Sequence, residues 1–163
     1  MPESKVSLKP AGMSFNEAAT IPLAALTALQ ALRNKGGMKE GMKVAIFGGS
    51  GGVGSFAIQI AKALGAAEVA TTSTNEDFCK GLGADIVVNY KTDNAGDKLK
   101  DFDIVFDTVG GIDHWMMGKK ILKSTGTYVS IVGDGVAMGK MIGRGEGKRT
   151  ERRRVPPVLY FYT

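Results

Sequence analysis

One cysteine, Cys79, and one histidine, His114, are all that this 163-residue chain offers of the residue types that most often build disulfides and metal sites. A lone cysteine cannot close an internal disulfide, nor can it furnish the two or four thiolates of a structural zinc site. These shortages point to a reducing, intracellular, metal-free protein. No stretch approaches the ~18 consecutive apolar residues of a membrane span, and Met1 to Lys9 lacks the apolar run of a secretory signal. The expectation is a cytoplasmic protein, with an organelle left open, and no membrane partner.

An excess of one charge is missing from most of the chain as well. The net charge is +5, yet Lys140 to Arg154 alone holds seven basic residues (Lys140, Arg144, Lys148, Arg149, Arg152, Arg153, Arg154) against Glu146 and Glu151, and the remainder carries acids and bases in equal number. Basicity is thus a property of one segment, and a nucleic-acid reading has to rest on it alone. What is present in quantity is apolar residues, 44%, beside 23% charged, the balance of one soluble globular domain. No internal repeat is visible.

From Val44 onward short β-rich apolar runs alternate with amphipathic stretches. The runs Val44 to Phe47, Glu68 to Thr72, Ile86 to Asn89, Asp103 to Asp107 and Tyr128 to Val132 read as strands. Between them lie helices over Val53 to Leu64, Glu76 to Leu82, Asp93 to Lys100 and Asp113 to Leu122. Such alternation predicts an α/β fold, a doubly wound parallel sheet in three layers with strand order 3-2-1-4-5. Ahead of it, Ser14-Phe-Asn-Glu17 has capping-box spacing, Pro22 stands where a second helix would begin, and Gly36-Gly37 closes the lead-in. Behind it, Val158 to Tyr162 follows Pro156-Pro157 and has strand propensity. The expected organisation is a helical lead-in or hinge over 1–40, a nucleotide-binding core over 41–135, a basic glycine-rich loop over 136–157 and a sixth strand within 158–163.

The run Val44-Ala-Ile-Phe-Gly-Gly-Ser-Gly-Gly-Val-Gly54 sets a buried strand before Gly49-x-Gly51-x-x-Gly54 and opens a helix behind it. This is the strand, turn and helix context that a dinucleotide fingerprint requires, the signature of a Rossmann fold. Gly51 is expected to make the tight turn, Gly52 to leave room for a pyrophosphate and Gly54 to let helix and strand approach, while N–H groups at the helix start face the phosphates. A glycine-rich turn without ligand is the competing reading; four further strands in register argue against it.

Cofactor choice turns on the end of the second strand, where an NAD site usually carries a carboxylate about 20 residues after the glycines. Here the strand ends Ala70-Thr-Thr-Ser-Thr-Asn75. Hydroxyls at Thr72, Ser73 and Thr74 can donate to a 2′-phosphate where an acid would repel it, so NADPH is favoured over NADH. Ordinary polar strand ends would look alike, and Asn75 and Glu76 add no basic group.

These residues resemble the medium-chain dehydrogenase/reductase superfamily, in its zinc-independent quinone oxidoreductase and enone reductase branch. Ala18 to Leu32 is similar to that family's hinge helix. Gly48-Gly-Ser-Gly-Gly-Val-Gly54, Leu82-Gly-Ala-Asp85 with Val88-Asn-Tyr90, and Phe106-Asp-Thr-Val-Gly-Gly111 are similar to its successive signatures. The resemblance implies that Ser50, Gly51, Gly52 and Val53 contact the pyrophosphate, that Ser73 and Tyr90 meet the 2′-phosphate, and that Val109 lies on the adenosine side. It further implies that Val132 and Gly133 flank the nicotinamide and that Thr27 reaches the same half. Tyr90 also reads as a strand-end aromatic packing on a neighbour, and Thr27 as a helix hydroxyl bonded to its own backbone.

The implied activity is hydride transfer from NADPH to a quinone or an α,β-unsaturated carbonyl, with no catalytic acid assigned in this chain. The resemblance leads to the expectation that the family's N-terminal catalytic domain is not contained in these residues and that the chain alone is weakly active; self-association through the C-terminal edge strand is expected as well. The alternative is a non-catalytic nucleotide- or RNA-binding module using the basic segment 140–154. His114 reads as an exposed helix-start residue rather than a base, Trp115 as packing, and Cys79 as a buried inert thiol beside Phe78. A short-chain dehydrogenase is disfavoured, since neither Tyr90 nor Tyr128 has lysine four residues on.

Overall fold

The computed structural model describes residues 6–132 and the backbone of Val158–Tyr160. Six strands form one wholly parallel sheet: β1 Lys43–Phe47, β2 Glu68–Thr72, β3 Ile86–Val88, β4 Phe102–Asp107, β5 Leu122–Ser130 and β6 Val158–Tyr160. Their order is β3-β2-β1-β4-β5-β6, which is the expected order with the sixth strand appended beside β5.

Alternation along the buried strands builds a core on each face. Val44 and Ile46 of β1, with Ile104 and Phe106 of β4, turn to one side; Ala45, Phe47 and Val105 turn to the other. The first face is covered by the lead-in, by α3 Gly52–Ala63 through Ala57, Ile58 and Ala61, and by Cys79 of α4 Glu76–Gly81. The second is covered by Ala95 of α5 Ala95–Lys98 and by Trp115 and Ile121 of α6 Ile112–Ile121. With both faces buried, a central strand reads as a continuous apolar run. Cys79 is fully buried, and Trp115 packs edge-on against Tyr128 with ring centroids 4.9 Å apart.

The lead-in differs from expectation at Pro22. Its capping box forms, with Ser14 Oγ accepting the Glu17 N–H and Glu17 accepting the Ser14 N–H. No new helix begins at the proline, however. Segments α1 Phe15–Thr20, a π turn over Ile21–Ala25, α2 Leu26–Leu29 and a second π turn over Gln30–Lys35 abut without a break. The wider π turn, in which the Leu26 N–H reaches back to the Ile21 carbonyl, takes up the proline within the helical course. Ala28, Ala31 and Leu32 are buried, whereas Ile21, Leu23 and Leu26 stay exposed.

The start of β5 also differs. Leu122 already pairs with Phe102; the next pair is Thr127 with Ile104, so the strand bulges outward between them. Lys123 in that bulge reaches Asp103 Oδ1 at 2.7 Å. Propensity alone placed the strand at Tyr128, because the polar residues of the bulge hide its first pairing.

Candidate nucleotide-binding site

Strand order reverses at β1, and the loops at the carboxyl ends of β1, β2 and β4 meet there. This is the crevice in which open α/β sheets bind ligands. Two side-chain hydroxyls tie the β1 loop to its neighbours. Thr72 Oγ1 accepts the Gly48 N–H at 3.0 Å while the Thr72 carbonyl accepts the Gly49 N–H, and Thr108 Oγ1 donates to the Phe47 carbonyl at 2.7 Å. The tight turn itself falls on Gly48, with φ +85°, and not on Gly51, whose φ of −77° any residue can adopt. Gly51 is the N-cap of α3. A Cβ on Gly54 would lie 2.1 Å from the Gly48 carbonyl oxygen, so glycine is what allows α3 to press on the turn. A Cβ on Gly52 would meet no protein atom within 4 Å.

That open side is where a phosphate fits. The first-turn N–H groups of Gly52, Val53 and Gly54 have no acceptor within the helix, and no side chain caps it. They stand at the positive end of a 12-residue helix dipole. The residues present therefore suit a pyrophosphate.

Beside the turn lies a cavity of about 800 Å³, within the range of cofactor sites. Gly48, Ser50, Thr72 and Val109 form one end, Tyr90 to Ala95 one wall, and His114 and Met117 of α6 the other. The β4 end is set by Asp107, a buried carboxylate whose Oδ1 accepts the N–H groups of Val109 and Gly110 and whose Oδ2 accepts the Tyr128 hydroxyl. Asp93 is the acidic residue of the lining. The Lys98 ammonium first, then the Thr92 hydroxyl, hold its carboxyl below the ordinary range. Among the described residues, no group of three or more His, Cys, Asp or Glu is placed to hold a metal ion, and no helix is long and apolar enough to cross a membrane.

Residues 52–141 match the family described as zinc-binding dehydrogenase. The chain belongs to that family. Its relatives set it in the medium-chain dehydrogenase/reductase superfamily, among the zinc-independent quinone and enone reductases. It is 41% identical over 134 residues to the 2-methylene-furan-3-one reductase of Solanum lycopersicum, covering 80% of this chain and 34% of that protein. It is 36% identical to a chloroplastic NADPH-dependent alkenal/one oxidoreductase of Arabidopsis thaliana, with the same two coverages. Among solved structures, the quinone oxidoreductase from Coxiella burnetii superposes with a TM-score of 0.78 at 34% identity, over 96% of this chain and 47% of that one. The chain thus spans about a third of the length of these curated relatives. Oxidoreductase relatives do not favour an RNA-binding module on residues 140–154, a segment outside the described residues.

In this family member the structure gathers Ser50, Tyr90 and Val109 around one cavity, with Gly51, Gly52 and Val53 at the adjoining helix start. Tyr90 is 60% exposed, so it does not serve as a packing aromatic. Ser73 is buried, and its hydroxyl accepts the Asn75 N–H at 2.9 Å; it stands outside the cavity lining. Thr27 is half-buried on α2, and Val132 exchanges hydrogen bonds with Ser130 while packing against Gly110. Gly133 lies outside the described residues. His114 departs from expectation: it is half-buried, lines the cavity and sits 5.6 Å from the Phe47 ring. Sequence reasoning missed Lys91 to Ala95 and Met117. Only the Tyr90 signature, adjacent in the chain, pointed toward the first group, and nothing local pointed toward Met117.

Proposed function

We propose that this chain binds NADPH and forms the nucleotide-binding part of a reductase acting on a quinone or an α,β-unsaturated carbonyl. The observation that carries the reading is the bare, uncapped N-terminus of α3, which follows directly on the Gly48 and Ser50 turn that lines the cavity, with no Cβ at Gly52. When bound, the dihydronicotinamide supplies the hydride. The chain's part is to place it. Ser50 to Val53 and the N–H groups of the α3 start hold the pyrophosphate, Tyr90 meets the 2′-phosphate, Val109 lies on the adenosine side, and Val132, Gly133 and Thr27 border the nicotinamide half. Such positioning is a large share of catalysis when the cofactor carries the chemistry.

The names of the tomato and Arabidopsis relatives support an enone-type substrate, and the Coxiella one a quinone. In this reading residues 1–40 are a helical lead-in or hinge, 41–135 hold the nucleotide core and the Val158–Tyr160 strand pairs with a second copy; the basic segment 136–157 lies outside the described residues. A catalytic domain from beyond these residues closes the cleft, and the working compartment is the cytoplasm or an organelle.

Calorimetric titration with NADPH and NADH tests the cofactor. Tighter binding of NADPH, by several-fold or more, is expected; equal affinities refute the preference, and binding of neither refutes the reading. Loss of NADPH absorbance with a naphthoquinone and with a 2-alkenal tests the substrate class.

A further inference from the structure

The hydroxyls that end β2 lack a cation to accompany them, and two of them already accept backbone N–H groups, which leaves each a single neutral O–H to offer. Thr72 receives the Gly48 N–H and Ser73, buried, receives the Asn75 N–H. A dianionic 2′-phosphate held by neutral donors alone would be poorly compensated. The loop after β3, beside the end of β2, supplies what is missing. Of the residues that line the cavity, Lys91 is the lysine or arginine among them, and its ammonium forms no ion pair with any described residue. The acid nearest it in the chain, Asp93, is already neutralised by Lys98 at 2.8 Å, so the two cations of this loop are not competing for it.

The lysine's backbone is held in place by its neighbours. Asn89, one residue beyond β3, accepts the Lys91 N–H on its side-chain oxygen at 3.0 Å, and its carbonyl accepts the N–H groups of Thr92 and Asp93. This Asx turn projects Tyr90 and Lys91 together at the cavity rim. β3 in turn is registered on β2 through Thr72 and Val88, and the Ser73 N–H reaches the Val88 carbonyl. The rim of β3 and the end of β2 therefore stay in fixed relation, as a two-sided clamp on a group carried at the ribose requires.

We propose that Lys91 is the specificity-determining residue of the site, its ammonium pairing with the 2′-phosphate that distinguishes NADPH from NADH. The inference rests on the reading that the chain binds NADPH. One charge-assisted contact of this kind is worth roughly a tenfold or larger difference in affinity.

The test uses cofactor fragments, so that turnover plays no part. Calorimetry on the unmodified chain is expected to show 2′,5′-ADP binding at least about tenfold more tightly than 5′-AMP. Lys91→Gln is expected to bring the two to near equality while leaving 5′-AMP affinity unchanged, and Lys91→Arg to retain most of the preference. Because the side chain is exposed and forms no ion pair with a described residue, circular dichroism and the melting temperature should not move. A Lys91→Gln variant that keeps the full preference overturns the inference and leaves the NADPH reading standing. An unmodified chain that binds neither fragment overturns both.

Discussion

The hydroxyl of Tyr128 on β5 donates to the buried carboxylate of Asp107 at the end of β4, at 2.6 Å, and the other oxygen of that carboxylate holds the Val109 and Gly110 N–H groups. One side chain thus joins two strands and shapes the rim of the cavity. Asp107→Ala removes the acceptor shared by the Val109 and Gly110 N–H groups and the Tyr128 hydroxyl and is expected to cost about 3 kcal/mol, whereas Tyr128→Phe costs about 1 to 2 kcal/mol. Urea denaturation measures both. Asp107→Ala should also weaken NADPH binding, because the Val109 turn loses its anchor; a variant with unchanged stability and affinity would show that the network is dispensable.

Gly52 and Gly54, two residues apart, are expected to behave oppositely. Alanine at 54 forces its Cβ onto the backbone of Gly48 and Gly49, so the chain should lose about 2 kcal/mol or more together with cofactor binding. Alanine at 52 meets no protein atom and should leave stability within about 0.5 kcal/mol. Its methyl group would stand on the open side proposed for the pyrophosphate, so affinity for the nicotinamide cofactor should fall about tenfold or more. Paired melting and titration experiments decide this, and full affinity in Gly52→Ala would mean that the pyrophosphate lies elsewhere.

Asp103 accepts the Lys43 N–H at 2.9 Å and the Lys123 ammonium at 2.7 Å. Burial by itself would raise its pKa; the hydrogen bonds from Lys123 and Lys43 outweigh that and hold the carboxyl below the ordinary range. At Asp85 burial is likewise outweighed by Lys62 and the Val69 N–H. A carboxyl whose folded pKa is depressed adds stability that is complete above its unfolded pKa, about 4, and that is lost as pH falls through the folded value. Stability should therefore hold from neutrality to about pH 5 and decline below it. Asp103→Asn is expected to cost about 1 to 2 kcal/mol at neutral pH and to flatten the acid limb. Urea midpoints across the acid range check it, and an unaltered acid limb in Asp103→Asn would contradict the assignment.

β6 ends the sheet among the described residues, and an end strand offers open N–H and C=O groups. Self-association through Val158–Tyr160 is the expected result, with light scattering that moves from monomer to dimer as concentration rises. A monomer throughout the range would count against it.

The order of strands and the placing of a glycine turn between β1 and α3 are legible in the sequence. Both are written locally: Val44 to Phe47 is a buried run, the glycines follow at once, and right-handed crossovers leave little choice of strand order. That both faces of the sheet are covered is legible for the same reason, since it follows from the alternation of strands and helices along the chain. Partnership is not. Nothing in Ala70 to Asn75 says that the Ser73 hydroxyl turns inward to Asn75 or that Thr72 is engaged by Gly48, because the Thr72 partner comes from a different strand loop. Nor does the local sequence say that the turn falls on Gly48, which depends on where α3 presses. His114, Met117 and Lys91 become neighbours of one cavity only when α6 and the β3 loop fold across the sheet from each other. Periodicity and turn chemistry act over a few residues and determine the elements, whereas a side chain's direction and its hydrogen-bond partner are decided by whichever groups packing brings within about 3 Å.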